Sequence, residues 1–94
     1  MRIIGVIWLR QIVDKLLWKH DVTTDEVEEV LDSEPRYRRL EKGNIAGEDL
    51  YTALGRTESG RYLIVYFIYK STKKALIVSA REMTSRERRD HGRK

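Results

Sequence analysis

Three arginines near the end of the chain are spaced so that they could bind one anion together. Arg81 ends a strand-like segment, and Arg86 and Arg88 follow it one and two turns away across a predicted helix start. Backbone N–H groups at that helix start add further donors. Guanidinium forks and amide donors match the oxygens of a phosphodiester, so the spacing indicates a site for a phosphate group.

The same residues also allow a purely structural interpretation. Arg81 would then pair with Glu82 or Glu87, and Arg88 and Arg89 would form a solvated face of the helix. Surface ion pairs of this kind are common and need no ligand. Residue spacing alone leaves both interpretations open.

Two histidines are candidates for proton transfer, because imidazole is the side chain whose unperturbed pKa lies near neutrality. His20 closes a predicted helix, where a cation would also offset the helix dipole. His91 lies close to the end of the sequence, and we expect it to be exposed. The histidines are far apart, cysteine is absent and the carboxylates lack ligand spacing, so the sequence predicts no metal and no cofactor.

The first third of the chain predicts a strand and two helices that must support these residues. Residues 2–7 form a short apolar segment, and residues 8–20 carry an apolar stripe at helical spacing. That stripe consists of Leu9, Ile12, Val13, Leu16 and Leu17. A second helix begins at a capping box formed by Thr23 and Glu26, and it ends before Pro35.

The rest of the chain predicts a sheet. We expect strands over residues 36–40, 49–57, 61–70 and 74–81. The first of these is polar enough for an edge strand, and the third is apolar on both faces, as in a central strand. Helices grouped early and strands grouped late indicate an α+β fold with an antiparallel sheet.

The last strand and the helix after it should place the arginines. Simple alternation puts Arg81 on the same face of the strand as Ile77 and Ser79. Thr84 and Glu87 then form a second capping box, which opens a short basic helix. The strand end and the helix start therefore meet where the phosphate site is predicted.

Length and composition bound the class of protein. Ninety-four residues make one domain, which we expect to span 1–94, with the last helix ending near His91 and residues 92–94 frayed. No apolar stretch could span a bilayer and no signal peptide is recognisable, so we expect a cytoplasmic protein. The 19 basic side chains outnumber the 15 acidic ones, and the acids lie mostly between Asp14 and Glu48. The basic end of the chain is therefore expected to attract anions.

Several short segments together resemble the BrnT family of bacterial toxins. The most specific is the pattern Ser-Ala-Arg-x-x-Thr-x-x-Glu-Arg over residues 79–88. Further matches are the Leu-Gly-Arg-Thr segment at 54–57, the Lys-His pair at 19–20 and the Val-Thr-x-x-Glu start of the second helix. The resemblance covers roughly residues 8–91.

This resemblance implies a RelE-like α+β fold and a ribonuclease of a type II toxin–antitoxin system. Toxins of that kind cut RNA without a metal, by attack of a ribose 2′-hydroxyl on the adjacent phosphate. Their partner is an antitoxin with a ribbon-helix-helix domain, here a BrnA-like protein. The complex of toxin and antitoxin binds operator DNA and represses its own operon, and no membrane is involved.

The resemblance also implies roles for individual residues. Arg81 would bind the phosphate and stabilise the transition state, Arg88 would support it, and His20 would act as acid or base. The expected substrate-binding residues are Lys19, Arg61, Arg86, Arg89 and His91. Thr84 and Glu87 would form the cap that positions the arginines.

Three positions depart from the family pattern. Ile12 and Leu16 stand where the family usually has a lysine and an asparagine in the first helix, and His91 stands where a tyrosine is common. Two alternatives to a ribonuclease therefore stay open. One is a non-catalytic nucleic-acid-binding module, and the other is a degenerate toxin that only binds its antitoxin.

Overall fold

A computed structural model describes residues 1–45 and 48–92, and this part of the chain forms an α+β fold. The strands of its sheet are β1 (Gly5–Ile7), β2 (Arg36–Glu41), β3 (Asp49–Arg56), β4 (Tyr62–Tyr69) and β5 (Lys74–Glu82). The helices are α1 (Arg10–His20), α2 (Thr24–Asp32) and α3 (Ser85–Gly92). The predicted fold class is confirmed. None of these three helices is both long and apolar enough to cross a membrane.

The strand order is β1-β5-β4-β3-β2, which puts β4 at the centre and β2 at an edge, as predicted. Strands β2 to β5 are antiparallel to their neighbours, whereas β1 runs parallel to β5. The sheet is therefore mixed at one edge rather than antiparallel throughout. The reason is the connection, because two helices follow β1 and no hairpin joins β1 to a neighbouring strand.

Helices α1 and α2 cover one face of the sheet and form the core with it. The fully packed core contains Leu16, Val22, Val27, Val30, Ala53, Leu63, Val65, Phe67, Ala75, Ile77 and Ala80. The predicted capping box of α2 is confirmed: the Glu26 amide donates to Thr23 Oγ1 over 3.2 Å, and the Thr23 amide donates to Glu26 Oε1 over 3.0 Å. This cap provides acceptors for two backbone N–H groups at the start of α2.

The predicted apolar stripe of α1 is wrong at two positions. Leu9 and Leu17 are 42% and 55% exposed, whereas Leu16 is buried and Ile12 packs against the core. Helix α1 contacts the sheet mainly at β5, beside the short edge strand β1. A helix at the margin of a sheet buries only a narrow stripe, so the side chains on its flank stay in contact with water.

A β-bulge in β5 corrects the predicted facing of its side chains. Tyr66 of β4 pairs with Ser79, but the next residue, Phe67, pairs with Ile77, so Val78 is an extra residue in the ladder. The bulge interrupts the alternation. Arg81 therefore does not share a face with Ile77, as simple alternation predicts, and points to the sheet face opposite α1 and α2.

Helix α3 follows directly and lies against that opposite face. Its predicted capping box is confirmed, since the Thr84 amide donates to Glu87 Oε1 over 2.8 Å and the Glu87 amide donates to Thr84 Oγ1 over 3.1 Å. The helix continues through Gly92, one residue beyond its predicted end. Residues 93 and 94, which the sequence predicts to be frayed, and the turn residue Gly47 lie outside the described residues.

Candidate active site

The sheet face opposite α1 and α2 carries a cavity beside α3. Leu63, Val65 and Phe67 of β4 point into the core, so Ile64 and Tyr66 between them point to this second face. The cavity has a volume of about 270 Å³ and lies between the sheet and α3. It is lined by Arg36, Arg38, Leu40, Thr52, Leu54, Ile64, Tyr66, Glu87, Asp90 and His91.

Arg81 lies beside this cavity and is held by three neighbours. Its Nη1 and Nη2 atoms donate to the two carboxylate oxygens of Glu87 over 2.8 and 3.0 Å. Nη2 also donates to the Tyr66 hydroxyl over 3.0 Å, and Nη1 donates to the Glu82 carbonyl over 3.1 Å. Because Tyr66 and Glu87 line the cavity, they connect it to the guanidinium group. The pairing with Glu87 is the one that the structural interpretation of the sequence predicts.

The ion pair shifts the pKa values of both partners. Hydrogen bonds from Arg81 lower the pKa of Glu87 to about 2, although partial burial acts in the opposite direction. The hydrogen bonds to Glu87 likewise raise the pKa of Arg81 above its ordinary value. Both groups are therefore charged near neutral pH. A phosphate that approaches the fork of Arg81 would compete with the carboxylate for the same donors.

Two arginines of the edge strand, Arg36 and Arg38, line the cavity although neither is among the site residues predicted from the sequence. Residues two apart in a strand share a face, so β2 presents both on the cavity side. Arg39 points to the other side of the sheet and pairs with Asp49, with 3.6 Å between Nη1 and Oδ2. The available signal was the Arg-x-Arg alternation directly after Pro35, in a segment already predicted to be an edge strand.

A further group of cations surrounds the ring of Tyr62 at the start of β4. The Cζ atoms of Arg88 and Arg56 lie 4.6 and 5.0 Å from the ring centroid, within cation–π range. The His91 imidazole makes an edge contact, with 6.1 Å between the ring centroids. His91 is half-buried and lines the cavity, so the expectation that it is exposed is wrong. Two of the predicted site residues, Arg88 and His91, thus meet at one aromatic ring.

Arg61, an expected substrate-binding residue, is engaged on the helix-covered side of the sheet. Its Nη1 donates to Oε2 of Glu26 over 2.8 Å and to the Asp21 carbonyl over 2.7 Å, and its Nη2 donates to the His20 carbonyl over 3.4 Å. Burial acts to lower the pKa of Arg61, but the carboxylates of Glu26 and Glu82 raise it overall. These contacts tie the β3–β4 turn to the junction between α1 and α2.

The other predicted site residues lie away from the cavity wall. Lys19 and His20 end α1, on the opposite side of the sheet from α3, and Lys19 is exposed. Arg86 and Arg89 are exposed on α3, and Arg89 borders an open depression beside Tyr62. The predicted site residues therefore divide between the two sides of the sheet.

Comparison with protein families identifies the family of the chain. A family model for the ribonuclease toxin BrnT of type II toxin–antitoxin systems matches residues 8–87, most of the chain. The chain belongs to the BrnT family. No curated protein matches it in sequence. As a BrnT-family member the chain is a ribonuclease toxin, with RNA as its target and an antitoxin protein as its partner.

The BrnT match includes Arg81 and Glu87 and ends before Arg88. It also includes the two departures in α1, Ile12 and Leu16, both of which contribute to the core rather than to the cavity. Apolar side chains at these two positions pack α1 against the sheet. These two departures in α1 therefore do not change a residue that lines the cavity, whereas the third, His91, does line it.

Proposed function

We propose that this BrnT-family toxin is an endoribonuclease of the RelE-like type, and that RNA is cleaved in the cavity between α3 and the sheet. The observation that carries the proposal is the position of Arg81. Its guanidinium fork lies beside a cavity whose opposite rim carries Arg36 and Arg38. Three guanidinium groups around one concave surface suit a phosphate and the additional charge that develops on it during cleavage.

A phosphate of the RNA would take the place of Glu87 on Arg81. The carboxylate occupies the fork through two parallel hydrogen bonds, which is also how guanidinium groups bind phosphate. Glu87 belongs to α3, a helix with no buried residue, and its side chain is partly exposed. It can therefore turn toward solvent without opening the core.

The reaction would be a transesterification within the RNA. The 2′-oxygen attacks the adjacent phosphorus and gives its proton to the imidazole of His91, while the 5′-oxygen leaves as a hydroxyl. The products are a 2′,3′-cyclic phosphate and a new 5′-hydroxyl end. The Tyr66 hydroxyl accepts a hydrogen bond from Arg81 and keeps its own proton, so it is placed to donate to the leaving oxygen. Guanidinium groups supply the positive charge in this scheme, and we propose that no metal is required.

The remaining basic residues would contact the RNA outside the cleaved bond. Arg88, over the ring of Tyr62, would hold a neighbouring phosphate, and the exposed Arg86 and Arg89 would extend that path along α3. The roles expected of Lys19 and His20 stay predictions, because both residues end α1, which lies on the side of the sheet opposite the cavity.

The antitoxin would be a BrnA-like protein with a ribbon-helix-helix domain, acting with the toxin in the cytoplasm. An acidic segment of it would cover the cavity and mask Arg38 and Arg81, whose charge is the feature that RNA recognises. Binding of operator DNA would occur only through the complex. A complex in which both arginines stay open to solvent would contradict this mode of neutralisation.

The decisive experiment replaces Arg81. The Arg81→Lys variant keeps the positive charge beside Glu87 but loses the planar fork. We expect cleavage of RNA in the presence of a chelator to fall by about 10²–10³-fold, as it does when one donor to a developing oxyanion is removed. Thermal unfolding should show that the variant stays folded. Cleavage at the wild-type rate by Arg81→Lys would contradict the proposal.

One observation favours a second candidate function. In the described structure, the hydrogen-bond donors of Arg81 are already occupied by Glu87. This arrangement would be expected if the protein were a degenerate toxin that only binds its antitoxin. Growth arrest on expression of the toxin alone separates the two candidates, because a degenerate toxin would not stop growth.

A further inference from the structure

A second cavity adjoins the first. It has a volume of about 420 Å³ and extends from the loop between α2 and β2 to the end of β3. Arg36 and His91 line both cavities, so the two cavities lie next to each other. An RNA strand with one phosphate in the first cavity would bring an adjoining nucleoside to the second.

Two side chains with planar end groups contribute to the wall of the second cavity. Arg56 and His91 both line it, and both are held against the ring of Tyr62, the former 5.0 Å from its centroid. Pro35 and Gly55 also line the cavity and add no polar side-chain atoms. Unpaired nucleobases stack on guanidinium planes and imidazole rings, so a cavity with such walls fits a base.

Glu34 adds a carboxylate to this cavity. Its side chain is exposed, and it forms no ion pair with any residue in the ranges 1–45 and 48–92. Its backbone adopts a left-handed conformation with φ of 56°, at the position after a helix end where glycine is usual. Glutamate therefore occupies a position where glycine would be less strained.

The Glu34 carboxylate distinguishes between bases by the number of hydrogen bonds that each can donate to it. An ionised carboxylate only accepts hydrogen bonds, and it can take two in parallel. On its Watson–Crick edge guanine offers two adjacent donors, N1–H and the N2 amino group, whereas adenine and cytosine offer one amino group and uracil one ring N–H. Two parallel hydrogen bonds are therefore available to guanine alone.

We propose that the second cavity is a nucleobase subsite, and that Glu34 selects guanine next to the cleaved phosphate. This inference rests on the proposed function, because the first cavity must bind the phosphate for the second to receive the adjoining base. With this subsite the protein would prefer certain RNA sequences, whereas the first cavity contacts only the phosphate of the RNA, which every sequence shares.

The test measures binding rather than cleavage. The probes are dinucleoside monophosphates with 2′-deoxyribose at the attacking position, in which guanine, inosine or adenine stands on either side of the phosphate. Titration calorimetry should show roughly 5- to 150-fold tighter binding with guanine than with adenine on one side, the value of one bidentate base contact. Inosine, which lacks the N2 amino group, should fall between them.

Matched variants assign the preference to one carboxylate. Glu34→Gln should reduce the guanine preference to below about threefold, since the amide has one acceptor oxygen beside an NH₂ donor and cannot accept two parallel hydrogen bonds. Glu58→Gln removes another exposed carboxylate, which lies in the β3–β4 turn outside both cavities, and should leave the preference unchanged.

Three results would overturn the subsite: equal affinity for guanine and adenine probes, a preference that persists in Glu34→Gln, or no binding of any probe at millimolar concentration. The proposed function fails by a different result, which is that ribo-oligonucleotides of every sequence stay intact. A toxin that cleaves without base preference would contradict the inference about Glu34 and leave the ribonuclease proposal standing.

Discussion

At the scale of single residues, the pairing of Arg81 with Glu87 determines the state of the site before RNA binds. The same two hydrogen bonds that hold the guanidinium group in place also occupy the donors that a phosphate needs. The carboxylate therefore competes with the substrate while it supports the fold. These two effects can be separated by experiment, because one concerns affinity and the other concerns stability.

The variant Glu87→Gln should separate them. Loss of the negative charge weakens the competition for Arg81, so we expect RNA to bind a few-fold more tightly at low salt. The conservative variant Asp90→Asn controls for the change in net charge, because it removes another carboxylate that lines the same cavity and that forms no ion pair within residues 1–45 and 48–92. Binding is measured by fluorescence anisotropy with a non-cleavable RNA. Weaker binding by Glu87→Gln would show that Glu87 positions Arg81 instead of competing with RNA.

The pH dependence of stability provides a second prediction. The pKa of Glu87 is about 2 in the folded protein, below its ordinary value of 4.5, so the pair stabilises the fold above pH 4.5. This contribution is lost as the pH falls from 4.5 to 2. We expect it to be about 1–2 kcal/mol, reduced by solvent because both side chains are partly exposed. Urea unfolding at pH 6 and pH 2.5 should show a smaller acid-induced loss for Glu87→Gln than for the unaltered chain.

Arg61 illustrates a residue whose position favours a structural role over the expected contact with RNA. Its guanidinium group bridges Glu26 and two backbone carbonyls at the junction of α1 and α2. Arg61→Ala should lower the free energy of unfolding by about 1–3 kcal/mol, because a partly buried carboxylate and two carbonyls lose their donor. Arg39→Ala, which removes only an exposed ion pair of 3.6 Å, should cost less than about 1 kcal/mol. Equal effects of the two substitutions would contradict the assignment.

At the scale of elements, the sequence predicts most of the fold because local signals and packing agree. The apolar segment of β4 and the capping boxes at Thr23 and Thr84 all lie where their sequence patterns place them. The bulge at Val78 could not be predicted in this way, since it depends on how β5 pairs with β4. The cavity could not be predicted from the sequence either, because it forms only where β2, β4 and α3 come together. Only the pairing of the strands brings Arg38 close to the residues of α3.

The cap of α3 links this element to the site. Thr84→Ala removes the acceptor for the Glu87 amide, and we expect it to lower the free energy of unfolding by about 0.5–2 kcal/mol. Cleavage should fall as well, because α3 also carries His91 and Arg88. Thr84→Ser retains the hydroxyl and should restore both properties. A Thr84→Ala variant with unaltered thermal unfolding and cleavage would show that the cap does not position the helix.

At the scale of the whole molecule, basic side chains line one face of the sheet while α2 on the other face is acidic. The formal net charge is only +4, so the distribution matters more than the total. If Arg38, Arg81 and Arg88 each neutralise one phosphate, the logarithm of RNA affinity should fall with the logarithm of salt concentration with a slope of roughly −2. Arg88→Ala should make that slope less steep by about 0.7. An unchanged slope would show that the bound RNA does not contact Arg88.

The most direct test of the central claim uses two adjacent arginines of β2 that point to opposite sides of the sheet. Arg38 lines the cavity, whereas Arg39 faces Asp49 on the other side. The measurement is the rate at which purified Arg38→Ala and Arg39→Ala cleave RNA in the presence of a chelator. We predict a loss of about 10-fold or more for Arg38→Ala, the effect of one charge-assisted hydrogen bond, and less than a twofold change for Arg39→Ala. Equal rates for the two folded variants would contradict the assignment of cleavage to this cavity.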